Sequence, residues 1–222
     1  QENKTVHGYL IMLKKIAILN YGTGNLQSII NVLNKLNLSY VITKSRNKII
    51  GSDHVILPGV GNFSYVMKNL KERNLDEAIK ERFRNKKPIL GICLGMQIFF
   101  DGSEEAPEVR GLGLLNGIFK KIYNQDNYKR KIPHIGWHDI NKYELFDTVK
   151  KKKLIFKHIK YYFLHSYYLT SFEEKHCKLY VNYYGLKIPS VIQFNSFIGL
   201  QFHPEISGEY GINFYKDYFG NY

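Results

Sequence analysis

The sequence predicts an α/β protein with a mostly parallel central sheet, helices on both faces and a strand-rich second half. Three observations carry this. Up to about residue 100, short apolar runs alternate with segments of helical periodicity. Beyond about residue 117 the helical spacing gives way to closely spaced strand patterns. No internal repeat, low-complexity tract or Pro/Gly/Ser linker interrupts the chain, so residues 12–222 are expected to form one domain.

Residues 15–19, Lys-Ile-Ala-Ile-Leu, read as a buried first strand that ends at Asn20-Tyr21-Gly22. A helix follows, with Leu26, Ile29, Ile30, Leu33 and Leu36 on one face. Residues 39–43 and 54–57 are the next strands, and helical patterns fill 63–73 and 75–84. A strand at 88–92 leads into a helix expected over 94–100. Such βαβα alternation implies parallel strands joined by crossovers that cover the sheet. Later strands are expected at 117–122, 159–164, 178–183, 190–194 and 197–202, with a short closing helix at 211–218. Residues 1–11 read as a leader outside the fold, a tag or a disordered extension, because the chain begins naturally at Met12.

Composition narrows the function. A hydrophobic fraction of 44% supports a packed core. No apolar run reaches the roughly 20 residues a membrane span needs, and the first residues lack the h-region and cleavage site of a signal peptide. Two cysteines, Cys93 and Cys177, make no disulfide framework and fit a reducing compartment. A soluble, cytoplasmic protein is therefore expected. With no CxxC pair and no HExxH, no metal site is expected. The net charge of +13 is spread along the chain without a nucleic-acid motif, which favours a solvated lysine-rich surface over a polyanion site.

Gly91-Ile92-Cys93-Leu94-Gly95 is the sharpest chemical feature. It places a nucleophile between two glycines, after a strand and before a helix, as a nucleophile elbow requires. The turn lifts Cys93 above the sheet edge at a helix N-terminus, where a thiolate is favoured. The amide of Leu94 is then placed to donate to an oxyanion. A nucleophilic cysteine needs a base, and the base an orienting group. Among the eight histidines, His203 follows an apolar strand, and His203-Pro204-Glu205 puts a carboxylate two residues on. Leu57-Pro58-Gly59-Val60-Gly61 ends another strand with a glycine-rich loop suited to backbone donors. Asn20-Tyr21-Gly22-Thr23-Gly24-Asn25 lacks the third glycine of a dinucleotide fingerprint, with Gln27 in its place, so nucleotide binding is rejected there.

Together with Gly111-Leu112-Gly113-Leu114, Pro133-His134-Ile135-Gly136-Trp137 and Phe163-Leu164-His165-Ser166-Tyr167, these segments resemble the class I (triad) glutamine amidotransferases. Within that class they are most similar to the glutaminase subunits of imidazole glycerol phosphate synthases. The resemblance spans residue 12 to nearly the C-terminus. It implies a flavodoxin-like sheet, a Cys93–His203–Glu205 triad and no cofactor. Gly59, Gly61 and Leu94 would form the oxyanion contacts, and Gln97, Ser166 and Tyr167 would bind glutamine. It implies a heterodimer with a (β/α)₈ cyclase subunit, which would receive ammonia and make imidazole glycerol phosphate and an aminoimidazole carboxamide ribotide. Asn25, Pro133 and Trp137 would lie at that interface. The chain departs from the pattern at Ile206, where a lysine usually follows HPE, and at His138, where an asparagine usually follows GW. Three alternatives are a sibling amidotransferase serving surface-sugar or pyridoxal phosphate synthesis, a free-standing cysteine hydrolase, and a polyanion-binding module.

Overall fold

Strands buried on both faces read as continuous apolar runs, and the period of two decides which face each residue serves. The computed structural model, which describes residues 5–6, 9–10, 15–22, 26–124, 129–147 and 151–220, bears this out along the first half. In β3 (Ile16–Leu19) Ile16 and Ile18 join one core while Ala17 and Leu19 join the other. The same split divides β5 (His54–Leu57), with Ile56 against Val55 and Leu57. It also divides β6 (Ile89–Ile92), with Leu90 and Ile92 against Ile89.

The helices α1 (Leu26–Lys35) and α6 (Gly208–Phe219) cover the first core, and α3 (Phe63–Glu72) and α4 (Leu75–Arg84) cover the second. With β4 (Tyr40–Thr43), β12 (Cys177–Tyr183), β13 (Leu186–Phe194) and β14 (Phe197–Leu200), the main sheet has seven strands in the order β12-β13-β14-β6-β5-β3-β4. The run β14-β6-β5-β3-β4 is parallel throughout. In chain order its strands lie 2-1-3-4-5, the doubly wound flavodoxin-like arrangement. The carboxyl ends of β5, β6 and β14 therefore meet at one rim, which brings the Gly59–Gly61 loop, Cys93 and His203 together.

The second half adds what the pattern did not resolve. β9 (His134–Asp147) and β10 (Lys152–His165) form a hairpin of two 14-residue strands, longer than the single strand expected at 159–164. Ile140, Tyr143, Leu145, Phe156, Tyr161 and Phe163 pack its inner face onto the core shared with α1 and α6. β11 (Tyr167–Thr170), β8 (Ile118–Lys121) and the two-residue β7 (Gly102–Ser103) make a small separate sheet. A short helix, α2 (Arg46–Gly51), was not expected. The wholly buried guanidinium of Arg82 holds it, donating to the carbonyls of Ile49, Ser52, Asp53 and Pro88.

The helix expected over 94–100 stops after one turn as α5 (Leu94–Gln97). Its continuation is diverted. The carbonyls of Ile98, Phe99 and Phe100 accept from Leu112, Leu114 and Gly113 instead of from later helical amides. The helix-dipole argument for Cys93 is correspondingly weaker, because a single turn aligns few peptide dipoles. Within residues 1–11, β1 (Thr5–Val6) pairs antiparallel with β2 (Tyr9–Leu10), and the other leader positions lie outside the described residues. Among the described residues no helix is long and apolar enough to cross a membrane.

Candidate active site

Cys93 sits between β6 and α5 with φ +44° and ψ −101°, a conformation that L-residues rarely adopt. The backbone is held there from both sides. Its N–H donates to Leu200 O at 2.6 Å, and its carbonyl accepts from Met96 and Gln97. The two flanking glycines are required by space. A Cβ on Gly91 would meet the Gly95 carbonyl oxygen at 2.5 Å, and one on Gly95 would meet the Leu57 carbonyl oxygen at 2.0 Å. Strand, turn and helix thus interlock only when both positions lack a side chain.

The Cys93 sulfur lies 3.8 Å from Leu164 O and 3.6 Å from Gln201 Nε2. Gln201 is fully buried and its Oε1 has no partner. It stands two residues before His203 in the run Gln201-Phe202-His203-Pro204-Glu205, and its role is not legible there because the amide's aim depends on how β14 docks beside β6.

His203 follows β14, and its N–H is fixed by the carbonyl of Tyr162 on β10 at 2.9 Å. Its Nδ1 lies 2.8 Å from Glu205 Oε1, both side chains being almost wholly buried. Since a carboxylate only accepts, Nδ1 carries the proton and Nε2 is left for another partner. Nε2 makes no hydrogen bond of good geometry, though the Cys93 sulfur is close enough to act on it. Burial by itself would lower the histidine's pKa. Glu205 and Cys93 outweigh it, and His203 ends well above its ordinary value of 6.5. A proton held on the imidazole at neutral pH is what a thiolate–imidazolium pair requires.

That shift has a testable consequence. A raised folded-state pKa contributes stability that is full below the unfolded value, about 6.5, and is lost as pH rises through the folded value. Glu205→Gln removes the main raising influence. Chemical denaturation across pH should therefore show the wild-type advantage over this variant largest at acidic pH and shrinking toward alkaline pH. A gap that widens as pH rises would contradict the pairing. The comparison must be a difference, because buried His134 and His165 act in the opposite sense.

The other expected site residues fall around this centre. Gln97 is buried on α5 with Oε1 unpartnered. Ser166 and Tyr167 lie where β10 passes into β11, with Ser166 O accepting from Ile122 and Tyr167 O facing His165. The Leu94 amide, an expected oxyanion donor, is engaged by Gly59 O at 3.3 Å. The Tyr21 hydroxyl donates to the carbonyl of Pro58 and so pins the same loop, a contact between segments 37 residues apart that no local motif predicts. Pro133 and Trp137 are exposed on or beside β9, whereas Asn25 lies outside the described residues. Trp137 pairs with Tyr162 across the hairpin, and Ile135 with Leu164, so the four form an apolar strip on its outer face. Trp137, Ile135 and Leu164 are 47%, 52% and 40% exposed, so this apolar strip lies open to solvent.

A thiol beside a buried histidine–carboxylate pair can carry acyl transfer from an amide. Comparison with known proteins points the same way. The sequence profile of class-I glutamine amidotransferases matches residues 17–219. Subunit HisH of imidazole glycerol phosphate synthase from Oceanobacillus iheyensis is 41% identical over 206 residues, covering 91% of this chain and 97% of that protein. The protein of the same name from Bacillus cereus strain AH187 is 38% identical over 208 residues, covering 92% and 94%. Among solved structures, a glutamine amidotransferase superposes with a TM-score of 0.66 at 16% identity, over 90% of this chain and 95% of the other. A Thermotoga maritima glutamine amidotransferase gives 0.53 at 15% identity, over 92% and 83%. At such identities these two structures speak for the fold alone.

Proposed function

Because the chain belongs to the class-I glutamine amidotransferase family, we propose that it hydrolyses glutamine through Cys93, His203 and Glu205 and delivers the ammonia to a (β/α)₈ cyclase subunit. In this reading residues 12–222 form one amidotransferase domain, and the pair makes imidazole glycerol phosphate and the carboxamide ribotide of histidine biosynthesis. The name carried by the relatives supports the histidine branch over a surface-sugar one. The observation that carries the chemistry is the buried His203–Glu205 pair set against a strained cysteine.

The Cys93 sulfur attacks the side-chain carbonyl carbon of glutamine. The tetrahedral intermediate collapses as His203 gives its proton to the departing nitrogen, which leaves as ammonia. A thioester remains on Cys93. His203, now neutral, takes a proton from water, whose oxygen attacks the thioester and releases glutamate. Glu205 keeps Nδ1 protonated throughout and so aims Nε2 at the reacting atoms. Gln97, Ser166 and Tyr167 hold the amino-acid end of the substrate.

The oxyanion contacts explain why a partner is needed. The Leu94 amide must point at the substrate oxygen, but the Gly59 carbonyl occupies it. Turning the peptide between Gly59 and Val60 would free Leu94 and replace an acceptor with a donor. The strip reaches the site through Leu164, whose carbonyl oxygen lies 3.8 Å from the Cys93 sulfur, so docking there can drive the turn. One oxyanion donor is worth on the order of 10²–10³ in rate. The purified chain should accordingly be a poor glutaminase that a ligand-bound cyclase subunit accelerates by about that factor. Trp137→Ala should weaken association without unfolding the chain, as expected for an aromatic anchor. Steady-state glutaminase assays with and without the subunit decide this. Full activity in the chain alone would mark a stand-alone hydrolase instead.

A further inference from the structure

Three histidines stand in line behind the segment assigned to glutamine binding. His165 Nδ1 lies 2.9 Å from the Tyr167 carbonyl oxygen. His165 Nε2 lies 2.8 Å from His134 Nδ1, and His134 Nε2 lies 2.6 Å from His138 Nε2. His134 has no exposed surface and is stacked between Phe163 and Tyr183. His165 is buried too, while His138 at the far end is half-buried with its edge toward the same two rings.

The end of the line fixes every proton in it. A carbonyl oxygen only accepts, so His165 Nδ1 is the donor there. A neutral imidazole has one N–H, so His165 Nε2 must accept, which makes His134 Nδ1 a donor. His134 Nε2 then accepts, and His138 Nε2 must donate. Neutrality of the inner pair follows from their surroundings. Burial, followed by His165 and His138, pushes His134 down to about 2. Burial holds His165 at about 3 despite its bond to Tyr167. Among the described residues no group of His, Cys, Asp or Glu is arranged to hold a metal ion, so these nitrogens serve one another.

We propose that His138, His134 and His165 form a one-way hydrogen-bond chain, each ring in a single tautomer, that positions the Ser166–Tyr167 backbone for glutamine and depends on His138 as its donor. The proposal rests on the glutamine reading above. His138 stands where the family pattern usually has asparagine, a residue with no imidazole to extend the line. Without a donor at position 138, His134 Nε2 is a buried acceptor with nothing to accept. The line can then relieve itself only by reversing, which would turn the His165 Nδ1 lone pair toward the Tyr167 oxygen. Repulsion there would move the carbonyl and the glutamine contacts beside it.

Two measurements on the full chain test this. Nitrogen-15 NMR of the histidine rings at neutral pH should find His134 and His165 as Nδ1–H tautomers and His138 as a donor at Nε2. An Nε2–H tautomer at His134 or His165 would overturn the proposal. Glutamine affinity, measured calorimetrically on the inactive Cys93→Ser chain, should fall about tenfold in His138→Met, the loss expected of one hydrogen bond. In His138→Gln, whose amide can donate from the same place, affinity should return. Equal affinity in all three chains, or equal loss in both variants, would reduce the line to packing and overturn its positioning role. If the Cys93→Ser chain binds no glutamine, the functional reading fails, while the tautomers still decide whether the one-way chain exists.

Discussion

Replacing Cys93 by alanine will abolish glutamine hydrolysis, with a loss on the order of 10⁶ in turnover, the scale seen when a nucleophile is removed from a triad. The fold will survive. The side chain is small, and the turn around it is held by backbone bonds to Leu200, Met96 and Gln97 that alanine retains. The lost sulfur packing costs about 1 kcal/mol, well within the stability of a domain of this size. Cys177→Ala is the control. That thiol bonds the Leu179 carbonyl on β12, and burial pushes its pKa up, so it is a poor nucleophile. A glutamine-mimicking electrophile should therefore label Cys93 alone, as peptide mapping by mass spectrometry will report. Equal labelling of both cysteines, or turnover remaining in Cys93→Ala, would remove Cys93 from the centre of the reaction. Ammonium at high concentration should restore the synthase reaction of Cys93→Ala with its partner, since only the ammonia source is lost.

His203→Asn will lower turnover by on the order of 10⁴–10⁶, because asparagine neither accepts the thiol proton nor delivers one to the leaving nitrogen. Glu205→Gln will be milder, since an amide oxygen can still accept from Nδ1 and orient the ring, and losing the orienting acid of a triad costs less than losing its base or nucleophile. What it loses is the charge that keeps His203 protonated, so its activity profile should shift toward acid relative to wild type. The physical reason lies in the competition at His203. Burial pulls the imidazole toward neutrality, and Glu205 is the first influence that opposes it. If Glu205→Gln proves the more damaging change, the roles of base and orienter have been exchanged.

Much of this protein was legible in the order of its residues. Apolar runs such as Ile16-Ala17-Ile18-Leu19 show both faces covered, and the helices between them force parallel strands. The elbow around Cys93 was legible because its turn is local: a side chain on Gly91 would meet the Gly95 carbonyl oxygen four residues on. His203-Pro204-Glu205 was legible because its hydrogen bond is local, spanning two residues. These are short-range facts, and short-range facts are written in sequence. The tertiary structure decided what depends on distant segments. It cut the 94–100 helix to one turn by sending the Leu112, Gly113 and Leu114 amides to the carbonyls of Ile98, Phe100 and Phe99. It aimed Gln201 at the Cys93 sulfur from the next strand. It set the Gly59 carbonyl on the Leu94 amide, so that a loop read as a donor is an acceptor in this conformation. It also lined up His138, His134 and His165 from two strands whose register no periodicity reveals. A peptide's orientation and a ring's tautomer are set by whatever lies opposite, and in this fold the opposite group is tens of residues away.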